Sequence, residues 1–342
     1  MDFVVYSGTG NTYRVAAWMA DVARDAGRTT AVHMVSNVDL KPSMLRGADL
    51  LVLATPTHGF TVPPGVLRAA WRLPPGHGRA AAVVATRGSL RVARFYLPGF
   101  EGSATLLLGL LLWLKGYRLR GVAAIDMPAN WTSLHSGLPE DAVAHLAARA
   151  RARAGLTMRR WLTGRRDPLP WLTFLVGLLL LPASLAYMVL GRRVLGKTFF
   201  ASAACTGCGL CAETCPRGAI LMRQAGGDQR SPYWTFRCES CMRCMAYCPE
   251  EAVEANQLLA LGMTVLAGMM PARIISRRLP RLMVGSALSL LALGLISPAL
   301  HDLLGVTWVN RLATRTTLTH RYRRYHEPET SVGVLVPGPR PR

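Results

Sequence analysis

The chain has 342 residues, enough for two domains and some excess, and a formal net charge of +21. All but three of its 40 basic residues (Lys41, Lys115 and Lys197) are arginine, scattered among abundant alanine, glycine and proline as a GC-rich genome would produce. No helix-turn-helix or RNA motif accompanies them and aromatics do not interleave with them, so the charge does not mark a nucleic-acid binder.

The N-terminus reads as a short apolar strand over 2–6, a turn Ser7-Gly8-Thr9-Gly10-Asn11-Thr12, and a helix to about Gly27. Backbone N–H groups at such a helix start, with the helix dipole and hydroxyl side chains, make an anion site. The turn has no lysine and no GxxxxGK[ST], and the chain has no GxGxxG, so neither a nucleoside triphosphate nor a dinucleotide is expected. A phosphate held by hydrogen bonds alone, as in flavin mononucleotide (FMN), suits it. The turn resembles the flavodoxin phosphate loop, [ST]-x-T-G-x-T. Further apolar runs at 30–35, 48–54, 80–86 and 121–126 alternate with helical stretches at 63–73, 103–117 and 139–163. Five strands with crossover helices imply an α/β, doubly wound parallel sheet of order 2-1-3-4-5.

Strands three and four run into Thr55-Pro56-Thr57-His58-Gly59 and Thr86-Arg87-Gly88-Ser89, two loops expected where a flavin ring would lie. Ordinary βα turn chemistry is the other reading of both. His58 either hydrogen-bonds the ring or is a solvent-facing turn residue. Arg87 either stabilises an anionic reduced flavin or is an exposed loop arginine. The run Ala104–Leu114 reads as a buried helix, and Trp113 and Trp131 as core residues.

Residues 168–191 carry no charge, with Arg165 and Arg166 before them and Arg192, Arg193 and Lys197 after. Two more uncharged runs, 255–272 and 282–300, lie near the C-terminus. About 20 apolar residues can span a bilayer. A single span at 168–191 would put the two halves of the chain on opposite sides of it, and every arginine cluster favours the cytoplasmic side. The expectation is therefore monotopic: Pro182 breaks the segment into a helical hairpin or an in-plane pair, and the arginines meet anionic headgroups. A soluble apolar cap and true spanning are the alternatives.

All eight cysteines fall in two copies of one pattern, Cys205-x2-Cys208-x2-Cys211-x3-Cys215-Pro216 and Cys238-x2-Cys241-x2-Cys244-x3-Cys248-Pro249. This spacing suits two [4Fe-4S] clusters with crossed ligation: Cys205, Cys208, Cys211 and Cys248 on one, Cys238, Cys241, Cys244 and Cys215 on the other. Zinc ribbons use two short pairs instead, and a disulfide framework is not expected without a signal peptide. The copies form a 33-residue repeat, each a cluster loop, short helix and strand about a pseudo-twofold axis, with Gly207 and Gly209 folding the backbone over sulfide. Residues 200–255 resemble bacterial two-cluster ferredoxins, a small α+β domain.

The combination resembles fused flavodoxin–ferredoxin proteins ("ferrodoxins") of anaerobic bacteria and archaea, with Met127-Pro128-Ala129-Asn130-Trp131 and Arg323-Arg324-Tyr325-His326 as further marks. That resemblance implies FMN, two [4Fe-4S] clusters and electron transfer. The domains expected are a flavin domain at 1–163, an apolar interface segment at 164–199, the cluster domain at 200–255, and apolar helices with a basic tail at 256–342. A cytoplasmic protein peripheral on the inner face of the cell membrane follows, with an acidic ferredoxin or a membrane redox complex as partner. A flavin-dependent reductase fed by its own clusters, or an accessory subunit of a membrane complex, are the competing functions.

Overall fold

Strands buried on both faces read as continuous apolar runs, and the first half of the chain is built on them. The computed structural model describes residues 1–35, 49–167, 170–224, 230–259 and 279–336. The chain divides into two compact units. One comprises Met1–Asn130, Gly137–Met188 and the chain from Tyr325 on; the other comprises Trp131–Ser136 and Val189–Arg324.

In the first unit, β1 (Asp2–Val5), β2 (Ala31–Met34), β3 (Leu50–Pro56), β4 (Ala80–Val92) and β6 (Arg118–Pro128) form a parallel sheet in the order β2-β1-β3-β4-β6. This is the flavodoxin-like order expected from the sequence. The register carries Val4 to Leu53, Leu53 to Val83 and Val83 to Val122 across the sheet. Helices α1 (Asn11–Asp25) and α4 (Glu140–Leu162) close a core on one face, where Val15, Met19, Met158 and Trp161 meet Phe3, Val52, Val84 and Ile125. Helices α2 (Pro64–Arg72) and α3 (Ala104–Leu114) complete the crossovers.

Two expectations change here. Strand β4 does not end at Thr86 but runs through Arg87, Gly88 and Ser89, paired with Asp126, Met127 and Pro128 of β6, before turning back against β5 (Phe95–Leu97). A charged residue is tolerated inside it because carboxylates wait on the neighbouring strand and at Glu101. Helix α3, in turn, is buried on one face only. Ala104, Leu108 and Leu112 face inward, whereas Leu110, Trp113 and Leu114 are exposed, so Trp113 is not a core residue. A helix apolar all round carries no periodicity from which its inner face can be read.

The segment after α4 forms α5 (Trp171–Leu179), α6 (Leu181–Ala186), a π-turn (Tyr187–Gly191) and α7 (Arg192–Lys197). It bends by 54° at Leu180 rather than reversing into a hairpin. Pro182 falls in the first turn of α6, where its missing N–H removes no helical bond, so it does not break the segment itself. Among the described residues no single helix is long and apolar enough to cross a membrane, though this bent pair passes by length and composition.

The second unit contains β7 (Phe199–Ala201), α8 (Leu210–Glu213), β8 (Ile220–Gln224), β9 (Arg230–Trp234), α9 (Arg243–Ala246) and β10 (Val253–Ala255), followed by α10 (Leu279–Leu304) and α11 (Thr307–Thr316). The run at 282–300 lies within α10, and most of the run at 255–272 lies outside the described residues. β8 pairs antiparallel with β9 and β10 with β7. The pairs Ile220–Trp234 and Ala201–Val253 exchange under the 33-residue shift, the signature of a twofold duplication.

Candidate functional site

The duplication reaches the backbone of the cysteine loops. Gly207 and Gly209 take positive φ (72° and 83°), and so do their repeat partners Ser240 and Met242 (50° and 64°). Gly218 and Glu251 form a third such pair. Left-handed conformations are rare outside glycine, so their recurrence at matched positions reflects what the loop must wrap. The N–H donors to sulfur also repeat. Ala219 donates to Cys215 Sγ at 3.3 Å and Ala252 to Cys248 Sγ at 3.4 Å. Gly207 donates to Cys205, and Ser240 to Cys238 Sγ at 3.4 Å.

The sulfurs gather in crossed sets. Burial pushes the Cys211 thiol up to about 12, and nearby Cys205, Cys248 and Cys208 push it the same way. Burial likewise pushes Cys238 far up, with Cys215 and Cys241 beside it, and Cys241 up to about 11. Cys244 is raised by burial and by Cys238 and Cys241. Cys248 thus lies near Cys205 and Cys211 of the first run, and Cys215 near Cys238 and Cys241 of the second. Among the described residues, no three His, Cys, Asp or Glu side chains close on a point as one metal ion would require. A cubane instead spreads four thiolates over four irons and needs no such point. Thiols this buried ionise only when a cation compensates them, as iron does. Around them Arg217 pairs with buried Glu239 at 3.0 Å, and Arg243 donates to Thr214 O at 2.7 Å. Trp131 packs on this core and Thr132 Oγ1 donates to Met245 Sδ at 3.1 Å.

In the first unit, the turn Ser7–Thr12 joins β1 to α1 and is buried throughout. Gly10, at φ 98°, is the helix N-cap, and its N–H donates to Ser7 Oγ at 3.1 Å. Asn11 Nδ2 donates to Pro128 O at 2.9 Å, and Thr12 Oγ1 shares a 2.7 Å hydrogen bond with Thr86 Oγ1. Asn130 Nδ2 donates to Thr9 Oγ1 at 2.5 Å. Residues after Tyr325 lie on the same turn: Tyr325 OH donates to Asn11 Oδ1 at 2.7 Å and Glu327 N to Thr9 O at 2.8 Å. A Cβ on Gly10 would come within 2.8 Å of Glu327 Cβ, so the C-terminal segment packs directly against Gly10. Arg14 offsets the buried Glu327 carboxylate at 3.6 Å and also pairs with Glu329. The Arg323–His326 mark pointed toward this segment but not to what it touches. Glu327 and Thr330 carried no signal in sequence.

Of the expected ring loops, Thr55 and Pro56 end β3, and Thr57 N donates to Thr86 O at 2.9 Å. Thr57 Oγ1 is buried with no hydrogen-bond partner among the described residues, an acceptor-donor left for a polar ligand. His58 and Thr61 exchange backbone hydrogen bonds, and the His58 ring stands edge-on to Tyr6 at 6.3 Å. Gly59, at φ 55°, lies under the Tyr187 ring, so no side chain fits there. Ser184 Oγ donates to Phe60 O at 2.8 Å, tying the apolar segment to this turn. Arg87 is neither a loop residue nor an unmatched charge. Burial opposes its ionisation, but hydrogen bonds and ion pairs with Asp126 (2.9 Å) and Glu101 (2.5 Å) outweigh it and hold the guanidinium above its ordinary range. Gly88 beside it sits within the β4–β6 ladder.

Residues 204–252 match a protein-family model described as a 4Fe-4S dicluster domain. No curated protein matches the chain. Among solved structures, it is similar to the TIGR4 flavodoxin of Streptococcus pneumoniae (22% identity, 44% of this chain and 97% of that one, TM-score 0.30). It is also similar to flavodoxin 1 of Bacillus cereus (18%, 47% and 96%, TM-score 0.35) and to a flavodoxin of Pseudomonas aeruginosa (15%, 48% and 98%, TM-score 0.33). The flavodoxin-like assignment rests on the strand order itself, and the dicluster domain on its cysteines and matched residues.

Proposed function

We propose that the protein is an electron-transfer flavo-iron-sulfur protein carrying FMN in the first unit and two [4Fe-4S] clusters in the second. The observation that carries this reading is the duplicated cysteine loop, whose two copies share backbone conformation and N–H···S bonds and whose sulfurs gather in crossed sets. Cys205, Cys208, Cys211 and Cys248 hold one cluster and Cys238, Cys241, Cys244 and Cys215 the other. Bound FMN exchanges electrons in ones or twos and each cluster takes one, so a single chain joins the two kinds of traffic.

The chain's own part is positional and electrostatic. Ala219, Ala252 and Ser240 donate to ligand sulfurs, which stabilises the more negative reduced state. The Ser7–Thr12 turn supplies hydroxyls and helix-start N–H groups for the FMN phosphate without a cation. Thr57 Oγ1, with His58 beside it, addresses the ring. The relay serves a redox protein at the cytoplasmic face of the cell membrane. Support for that setting comes from the bent apolar pair Trp171–Lys197 and its flanking arginines.

Anaerobic purification followed by iron, sulfide and flavin analysis tests the cofactors, with an expected content of about eight iron atoms per chain and one FMN. Thr9→Ala combined with Thr12→Ala is expected to lower the flavin content and leave iron unchanged. Unchanged flavin in that variant removes the phosphate-site assignment.

A further inference from the structure

We propose that α2, α3 and α5 of the first unit together present one apolar face that docks on an anionic lipid bilayer. This deepens, and rests on, the membrane-surface setting given above, and it assigns that setting to the flavodoxin-like unit's own helices.

Helix α3 packs against both α2 and α5. Lys115, at its end, donates to Trp71 O at 2.8 Å, which places the end of α2 beside the end of α3. Asp167 is hydrogen-bonded to Arg120 and Val122 at the start of β6, and Gly177 lies so close to Gly102 that a Cβ there would come within 2.8 Å of its carbonyl oxygen. Helix α5 therefore runs from the C-terminal end of α3 toward its N-terminal end. Each of the three helices carries one exposed tryptophan, Trp71 on α2, Trp113 on α3 and Trp171 on α5, exposed by 70, 62 and 73%. Leu110 and Leu114, at helical spacing beside Trp113, extend the stripe, and α5 exposes Phe174 and Leu178 as well.

Three features select a lipid surface as the occupant. Exposed tryptophans at the margin of an apolar face match the membrane interface, where the ring is half-desolvated and its N–H stays wet. Residues 63–75, 104–118 and 170–188 contain no Asp or Glu, whereas Arg68, Arg72, Lys115 and Arg118 lie in them and Arg165 and Arg166 precede α5. The nearest acid before α5, Asp167, is paired with Arg160 at 2.5 Å. The charge is thus complementary to anionic headgroups. Helix α3 cannot insert: its 11 residues span about 16 Å against a core of about 30 Å, and its Leu108 and Leu112 are locked into the sheet. Docking is therefore in plane, by a preformed face.

Flotation of the full cluster-loaded chain with vesicles tests this, using phosphatidylglycerol mixed with phosphatidylcholine against phosphatidylcholine alone. The wild type is expected on the phosphatidylglycerol vesicles, more weakly at high salt. Leu110→Glu with Leu114→Glu is expected to lower the bound-to-free ratio about tenfold or more. Phe95→Glu, on the exposed β4–β5 hairpin, is expected to leave it unchanged. Unaltered cluster absorbance and melting in both variants show that folding is intact; if the double variant misfolds, Trp113→Ser replaces it with the same expectation of weaker binding. A wild type that ignores phosphatidylglycerol vesicles removes the membrane-surface setting altogether. Equal binding by the double variant overturns this face while leaving that setting in place. Equal binding to phosphatidylcholine alone overturns the anionic choice. A lipid-free dimer that the double variant dissociates makes the face a self-interface and overturns the proposal.

Discussion

The two copies of the cluster loop do the same thing with different residues. The first places glycine at each of its left-handed positions, Gly207, Gly209 and Gly218; the second holds Ser240, Met242 and Glu251 there. A non-glycine residue in that region costs about 1–2 kcal/mol. At Ser240 and Met242 burial in the core with Cys238 offsets the cost, whereas exposed Glu251 has no such compensation. In the first copy Gly209 has no atom within 4 Å of a would-be Cβ, but Gly207 has Arg230 O at 2.7 Å. The difference teaches that the loop path is held in common by both copies, whichever residue type occupies its left-handed positions. A second contrast lies on the strands. Leu221 of β8 is exposed, while its repeat partner Glu254 of β10 is buried against Arg324 and Thr319.

The largest expected effect tests the crossing between copies. Cys248→Ser should remove the cluster otherwise held by the first run, and Cys215→Ser the cluster held by the second, each lowering iron by about half. Electron paramagnetic resonance of the reduced variants distinguishes which centre remains. If Cys248→Ser instead perturbs only the centre of its own run, the ligation is not crossed.

A smaller effect separates the left-handed glycines. Gly207→Ala adds a Cβ 2.7 Å from Arg230 O on top of its positive φ, whereas Gly209→Ala meets nothing and carries the backbone cost alone. Denaturant unfolding should show a loss of about 1 kcal/mol for Gly209→Ala and clearly more for Gly207→Ala. Equal losses would mean that the close approach to Arg230 does not constrain the loop.

The smallest effect concerns Glu254. Burial raises its carboxyl above the ordinary range, and the hydrogen bond from Thr319 and the charge of Arg324 only partly offset this. A carboxyl with a raised folded-state value binds its proton more tightly when folded. Its contribution to stability therefore falls as pH rises from the ordinary carboxylate range through the raised value. Melting between about pH 4.5 and pH 7 should show a shallower decline in Glu254→Gln than in wild type.

Much of the fold was legible because its signals are local and redundant. Strands buried on both faces appear as runs such as Leu50–Pro56, and the Ser7–Thr12 turn announces itself by composition. In sequence Arg87 resembles a loop residue because a polar residue after an apolar run looks like the start of a loop. Only its distant partners Asp126 and Glu101 make it a strand residue. Helix α3 hides its exposed side in sequence for the opposite reason, since eleven consecutive residues with hardly a polar one mark no inner face. The C-terminal contacts of Tyr325 and Glu327 with the turn at Thr9–Asn11 span more than 300 residues of chain, and no pattern in either segment predicts the other.

The sequence by itself determined the strand order of the first unit and the duplication of the cysteine run in the second. Apolar periodicity and ligand spacing are properties of neighbouring residues and survive without knowledge of the rest. Only the tertiary structure decided which side of α3 meets solvent, which carboxylates neutralise Arg87 and what covers the turn at Ser7–Thr12. Those outcomes depend on groups far apart in the chain that meet only once the sheet has formed.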